Sequence, residues 1–184
     1  MIARFRATAP PGAILAQTFH RGAFDALLAQ PTAAGIRIYY GKYASGADTL
    51  VLYATNGEGQ DLSAMPMNHC QPCPSLCDTL PANSHLISPA EAQETINRFQ
   101  ATAPPGAVRS QSLDRSAIDV LLAQPTAAGI RIYYGKYANG ANTLVLYAIN
   151  KQGQVISTLA MDHCTPCPPT CDAQAASTRS SNSD

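Results

Sequence analysis

The sequence predicts an α+β protein built from two tandem copies of one small domain. Two observations support this class. Residues 4–78 realign without a gap on residues 98–172, at a constant offset of 94. Each copy contains a helical pattern followed by alternating strand patterns separated by turn residues. A repeat of this length is a whole domain, so we expect two pseudo-twofold-related halves, each with helix packed on a three-stranded antiparallel sheet.

A helix is predicted at the start of each copy, but only the second copy has a complete one. Ser88 and Glu91 form a capping box, and Ile96 and Phe99 follow at helical spacing. The first copy retains only the end of this pattern, around Phe5. Either the second helix doubles as the interdomain connector, or the natural chain begins upstream.

A second helix is predicted over residues 21–30, with its twin over residues 115–124, and a proline stops each one. Phe19 precedes the first of these helices and is expected to pack on Phe24 as a hydrophobic staple. Leucines extend the buried stripe in both copies. The pattern indicates that one face of each helix is buried.

The clearest strand signal is a β-hairpin whose turn is Ser45-Gly46, replaced by Asn-Gly in the second copy. A two-residue turn there places Tyr40 opposite Val51. Both hairpin faces carry apolar groups. We therefore expect helices on one face, and the sister copy or another subunit on the other.

A third short strand is predicted near residues 60–64 and 154–158, after an Asn-x-x-Gly turn. The resulting domain limits are simple. The ranges are 1–82 for the first repeat, 83–87 for a linker, 88–172 for the second repeat, and 173–184 for a tail that we expect to be disordered.

Each copy ends in a cluster that reads Cys-x-Pro-Cys-Pro-x-x-Cys-Asp, with histidine directly before it. Short spacings bring thiolates to one center with little loop entropy to lose, which suits zinc or an iron–sulfur cluster. Such sites normally take four ligands, and each copy supplies three cysteines. Histidine is the natural fourth ligand, with Asp78, Asp172, a partner's side chain or water as alternatives. The candidate metal ligands are His69, Cys70, Cys73, Cys77, His163, Cys164, Cys167 and Cys171.

Three other interpretations of these residues stay open. In an exported protein the six cysteines would form disulfides, for example Cys70 with Cys77 and Cys73 with Cys167. The Cys-Pro-x-x-Cys pairs would alternatively act as a thiol–disulfide redox switch. The histidines, finally, would only cap or hydrogen-bond their loops.

Composition excludes several functional classes. The formal net charge is +0 and no basic cluster is present, so nucleic acid is not an expected partner. No apolar run is long enough for a membrane span. Phosphate loops, Ser-His-Asp patterns and clustered carboxylates are missing from the sequence, which disfavors a hydrolase or nucleotide enzyme. Only 13% of residues are charged, so self-association is expected.

A group of tyrosines and cations recurs in both copies. Each member recurs 94 residues later: Arg37, Tyr39, Tyr40, Lys42 and Tyr43 correspond to Arg131, Tyr133, Tyr134, Lys136 and Tyr137. They would suit a binding face, but sheet packing for the tyrosines and a solvated edge for the cations is the favored interpretation.

The sequence also resembles a family of small uncharacterised bacterial proteins that usually carry one copy. The resemblance lies in Leu-Leu-Ala-Gln-Pro, Gly-Ile-Arg-Ile-Tyr-Tyr-Gly, Thr-Leu-Val-Leu, the Asn-x-x-Gly turn and the terminal Cys-Pro-x-x-Cys. It supports the domain boundaries and implies no activity.

These patterns together predict a noncatalytic metal-binding or self-assembling module whose partner is itself or another protein. A thiol redox protein and an exported, disulfide-stapled subunit are the alternatives. Residues 1–12 lack the apolar stretch of a secretory signal, so a cytoplasmic location is expected if Met1 is the true start. If it is not, the compartment stays open and export is possible.

Overall fold

The computed structural model describes residues 1–68, 86–156, 160–161 and 165–167. These residues form an α+β fold with four helices and two antiparallel sheets. In chain order the elements are α1 (Ile2–Thr8), β1 (Ala16–His20), α2 (Arg21–Leu28), β2 (Gly35–Lys42), β3 (Asp48–Thr55), β4 (Asp61–Met67), α3 (Pro89–Thr102), β5 (Ser110–Asp114), α4 (Arg115–Leu122), β6 (Gly129–Lys136), β7 (Asn142–Ile149) and β8 (Thr165–Cys167). Among the described residues, no helix has the length and apolar character needed to cross a bilayer.

The two sheets differ in size, and each contains a strand from the other copy. One sheet has three strands in the order β1-β6-β7, and the other has five in the order β4-β3-β2-β5-β8. Strand β1 comes from the first copy but pairs with β6 of the second. Strand β5 comes from the second copy but pairs with β2 of the first. The copies therefore exchange their first strands.

The registers of the two exchanged pairs are equivalent. Ala16 lies opposite Tyr133 in one sheet, and Ser110 lies opposite Tyr39 in the other. Strands β1 and β5 are absent from the sequence prediction, because each has only five residues and runs directly into a helix. The two predicted three-stranded sheets thus become a three-stranded and a five-stranded sheet.

The hairpin is confirmed, but its predicted register is wrong by one residue. Tyr40 pairs with Leu50, not with Val51. The turn has three residues instead of two: the Tyr43 N–H donates to Ala47 O at 2.9 Å, and Gly46 adopts a φ of +87°. A glycine in the left-handed region closes this kind of turn.

A single hydrophobic core joins both sheets with α2 and α4. Alternate residues of each hairpin point into it, as a period of two requires. Both predicted helices are confirmed, and Phe19 packs edge-to-face on Phe24 with ring centroids 6.2 Å apart. The largest fully buried side chains are Phe19, Phe24, Leu27, Ile36, Ile38, Leu50, Leu52, Met67, Ile118, Leu121, Ile130 and Ile132.

Helix α3 covers the other face of the five-stranded sheet. Ala92 and Ile96 pack there in a second cluster with Val51, Tyr53 and Ile87. Both faces of this sheet are covered, as expected, but each face carries helices: α3 of the second copy lies on one, and the other packs on the core that contains α2 and α4. The three-stranded sheet carries the shorter α1, whose residues correspond to the second half of α3.

The predicted capping box of α3 is present. The Ser88 hydroxyl accepts a hydrogen bond from the Glu91 N–H at 3.2 Å, which satisfies one of the free donors at the helix start. Helix α1 begins beside Met1 without a side-chain cap. Helix α3 is therefore the longer and the capped one of the two.

The exchanged strands lie very close to one glycine in each hairpin. A Cβ added to Gly35 would lie 2.5 Å from the Leu113 carbonyl oxygen, and one added to Gly129 would overlap the Phe19 carbonyl oxygen. Both obstacles are backbone atoms of β5 and β1. Only glycine permits these approaches.

Candidate functional site

Most of the predicted metal ligands lie outside the described residues. These are His69, Cys70, Cys73, Cys77, His163, Cys164 and Cys171, and the alternative ligands Asp78 and Asp172 lie outside as well. Cys167 alone is described, as the last residue of β8. In the part of the chain that the structure covers, no group of three His, Cys, Asp or Glu side chains is placed to hold a metal ion.

The two ends of the first cysteine segment meet at one point. Met67, at the end of β4, forms an antiparallel bridge with Leu86. The Ile87 N–H donates to the Pro66 carbonyl at 3.1 Å. Residues 69–85 therefore leave and rejoin the sheet at adjacent backbone positions.

Asn68, the residue directly before His69, is held by a buried polar network. Its side-chain Oδ1 accepts hydrogen bonds from the Thr49 hydroxyl at 3.0 Å and the Tyr43 hydroxyl at 2.9 Å. Thr49 Oγ1 in turn accepts a bond from Gln17 Nε2 at 3.1 Å. Asn68 is only 2% exposed, so the root of the first cysteine segment is fixed in the protein interior.

Gln17 also ties the two sheets together. It lies in β1, yet its Oε1 accepts a bond at 2.8 Å from the backbone N–H of Leu50 in β3. Gln111 of β5 makes the equivalent contact with the Leu144 N–H at 3.1 Å. Both glutamines are essentially fully buried, which makes these bonds costly to lose.

The second copy differs at the corresponding threonine. The buried Thr143 hydroxyl has no hydrogen-bond partner among the described residues, whereas Thr49 makes two bonds. Asp162, which replaces Asn68 here, lies outside the described part. Met161 and Leu146 form a two-bond bridge that corresponds to the pairing of β4 with β3. The bridge of Ile149 with Val155 marks the predicted third strand, and residues 157–159 are outside the description.

Cys167 lies on the opposite edge of the five-stranded sheet from β4. Strand β8 pairs with β5, with Cys167 opposite Ser110 and Pro166 opposite Gln111. The row of laterally paired residues that begins at Pro166 in β8 passes through β5, β2 and β3 and ends at Met67 in β4. Four strand spacings separate the two edges, or about 19 Å. The cysteine segments are thus attached at well-separated points.

A second polar cluster, formed by Arg37, Tyr39, Tyr53 and Asp61, lies on the outer face of the five-stranded sheet. Arg37 donates to Asp61 Oδ1 at 2.8 Å, and the Tyr39 hydroxyl donates to Asp61 Oδ2 at 2.5 Å. Arg37 further bonds the Ser112 hydroxyl and the Gly59 carbonyl. The ion pair links β4 to β2. The bond from Arg37 to Ser112 links β2 to the exchanged strand β5.

Burial controls the ionization of this cluster. Burial first, and then the charge of Asp61, raises the pKa of Tyr53 to about 12 and that of Tyr39 further. Burial also raises the pKa of Asp61, although the bonds from Tyr39 and Arg37 act to lower it. Tyrosines that hold their protons this strongly are poor acids at neutral pH. The two tyrosines therefore stay protonated and neutral beside Asp61.

The sequence interpretation was wrong about Arg37, which was assigned to a solvated edge and is 8% exposed. The predicted solvated position fits Lys42 more closely, because Lys42 forms a more exposed ion pair with Asp48 at 3.1 Å. A signal for the cluster was present: a cation in a strand with apolar groups on both faces needs a buried counter-ion. Asp61 follows the Asn-x-x-Gly turn and was available for this role.

Comparison with known proteins adds no relative, because no family model, curated protein or solved structure matches the chain.

Proposed function

We propose that the protein is a noncatalytic module that presents two cysteine loops for binding zinc or an iron–sulfur cluster. The observation that carries this proposal is the repeated His-Cys-x-Pro-Cys-Pro-x-x-Cys, which offers one histidine and three cysteines in each copy. The ligand sets are His69, Cys70, Cys73 and Cys77 in the first copy, and His163, Cys164, Cys167 and Cys171 in the second.

The geometry around the loops supports a binding module. The first segment begins after the buried Asn68 and ends at a backbone bridge, so the fold holds both of its ends. Fixed ends reduce the entropy that a metal site must overcome when its ligands converge. Cys167 likewise lies within strand β8, which is paired with β5.

The distance between the points where the two cysteine segments join the sheet supports two metal sites instead of one shared site. Met67 and Pro166 lie on one row at opposite sheet edges, about 19 Å apart. This distance favors one metal per copy.

We further propose that the halves are duplicated domains related by a pseudo-twofold axis. The equivalent registers of β1 with β6 and of β5 with β2 support this, since each pairing maps onto the other at the repeat offset. The assembly part of the proposal is that the protein associates with itself or with another protein, which its low charge content favors.

Metal analysis of protein purified without chelator tests the binding proposal, combined with intact mass before and after thiol alkylation. We expect about two equivalents of zinc, or two clusters, and six alkylatable thiols after metal removal. A Cys73→Ser variant should lose one equivalent, and Cys167→Ser the other.

A metal-free protein would contradict the proposal, and its mass would then separate the alternatives. A mass lower by two hydrogens per bridge indicates disulfides. Reversible reduction by a dithiol would favor the thiol redox protein, and stable bridges would favor an exported, disulfide-stapled subunit.

A further inference from the structure

Each hairpin of this protein is completed by a segment from the other copy. We call residues 1–20 arm 1 and residues 89–114 arm 2. Hairpin 1 consists of β2 and β3, and hairpin 2 of β6 and β7. Arm 1 supplies β1 and α1 to hairpin 2, and arm 2 supplies β5 and α3 to hairpin 1.

The contacts that seat the two arms correspond closely. Backbone hydrogen bonds beyond the strand ladders extend each docking site, and they occur in matched pairs. These bonds are Tyr134 N–H to Leu15 O at 3.1 Å with Tyr40 N–H to Arg109 O at 3.0 Å, and Arg21 N–H to Ala128 O at 2.8 Å with Arg115 N–H to Ala34 O at 2.9 Å. The two docking sites therefore recognize the same backbone pattern.

Side chains repeat this correspondence in a stack of four aromatic rings. Phe5 of arm 1 stacks on Tyr134 of hairpin 2 with centroids 5.4 Å apart, and Phe99 of arm 2 stacks on Tyr40 of hairpin 1 at the same distance. The two tyrosines meet at 6.1 Å. The stack runs through the junction of the two copies and buries both arms at once.

The two docking strands have the same sequence. Strands β2 and β6 both read Gly-Ile-Arg-Ile-Tyr-Tyr-Gly-Lys. Arg37 bonds Ser112 of arm 2, and Arg131 bonds Thr18 of arm 1, each through Nε at 3.1 Å. A surface that accepts arm 1 is therefore built to accept arm 2 as well.

We propose that each half of the chain is an incomplete fold that only a second, equivalent half can complete. In the full chain the other half does this; in isolation, a second copy of the same half would. Two copies of the second half would dock arm 2 of each on hairpin 2 of the other and form a homodimer. The tandem chain is then the covalently joined form of an arm-exchanged dimer. This inference depends on the strand exchange and not on the cysteine loops.

The test uses the full chain with a protease recognition sequence inserted between residues 82 and 83, cleaved while folded and kept in reductant. We expect the nicked protein to remain one particle with the same mass as the uncut protein measured beside it, with each 19.4 kDa chain plus its insertion still whole in that particle. Two separate particles of about half that mass would overturn the proposal, because independent domains would part once the connection is cut.

The second step unfolds the nicked protein, separates the halves and refolds the second half alone under reducing conditions. Native mass spectrometry should show twice the mass of that half, and Phe99→Ala should shift it toward monomer. A monomeric, folded half would overturn the proposal. Precipitation would also count against it, because two copies of the half in solution should complete each other and form a soluble dimer.

Discussion

The two sheets contain the same hairpin but end differently. Strands β2 and β6 are identical in sequence, and each pairs with its hairpin partner in the same register. Beyond β3 the first copy adds strand β4, which pairs with β3 across a register shift and is fastened by the Arg37–Asp61 ion pair. The second copy has Val155 in place of Asp61, and its described residues show bridges there instead. The two sheets thus share the hairpin at their center, whereas the buried ion pair that fastens β4 is specific to the first copy.

The centers of the sheets should be equally sensitive to a single methyl group. We expect Gly35→Ala and Gly129→Ala each to lower the free energy of unfolding by about 3 kcal/mol, because the added Cβ meets a backbone oxygen of the exchanged strand. Chemical denaturation measures the change. Gly57→Ala is the control, since no atom lies within 4 Å of its added Cβ, and it should change stability by less than about 0.5 kcal/mol. Equal tolerance at all three glycines would show that the exchanged strands are not so close.

Asp61→Val gives the β4 edge of the first copy the residue that the second copy has at this position, Val155. Arg37 is 8% exposed and would lose its counter-ion, so we expect a loss of about 2 kcal/mol, reduced from the value for a fully buried pair because Asp61 is partly exposed. Denaturant titration followed by circular dichroism measures it.

Asp48→Asn is the matched control for that prediction, because the Lys42–Asp48 pair is more exposed. It should change stability by about 0.5 kcal/mol or less. If both variants lose the same small amount, the Arg37–Asp61 pair does not distinguish the two edges.

The two copies should also differ in how much the threonine next to each cysteine segment, Thr49 or Thr143, contributes to stability. Thr49→Val removes two hydrogen bonds and leaves Asn68 and Gln17 with fewer buried partners, so we expect a loss of about 1–2 kcal/mol. Thr143→Val removes a buried hydroxyl that has no partner among the described residues, and should be neutral or slightly stabilising. Thermal denaturation of both variants provides the comparison, and a larger loss for Thr143→Val would contradict it.

Alkaline pH should weaken the five-stranded sheet through its outer face. Burial and the charge of Asp61 raise the pKa of Tyr53 to about 12, whereas an unfolded tyrosine ionizes near pH 10. The folded state then binds more protons than the unfolded state, so stability falls as pH rises from about 10 toward 12. Ultraviolet titration of tyrosinate should show this delay, and Asp61→Asn should shorten it. An unchanged titration in that variant would argue against the contribution of Asp61.

Much of the fold could be predicted from local sequence. Helix α2 and its staple, the capping box of α3 and both strands of each hairpin follow from spacing and from capping residues. The hairpin register was missed because Ser45-Gly46 suits a two-residue turn, whereas Gly46 here closes a three-residue turn.

Strand exchange could not be predicted in the same way. Residues 16–20 and 110–114 are too short to give a strong strand signal, and their partners lie in the other copy, more than 70 residues away along the chain. The two copies have identical β2 and β6 sequences, so pairing within and between copies is equally compatible with the sequence. The choice depends on tertiary packing. The metal-ligand prediction stays a prediction, since His69, Cys70 and most of the other ligands lie outside the described residues.

Nuclear Overhauser contacts in the assigned spectrum of the monomeric full chain test the strand exchange most directly. The account predicts interstrand contacts between Thr18 and Arg131 and between Ser112 and Arg37. Contacts of Thr18 with Arg37 instead, and of Ser112 with Arg131, would show that each copy keeps its own first strand and would contradict the account.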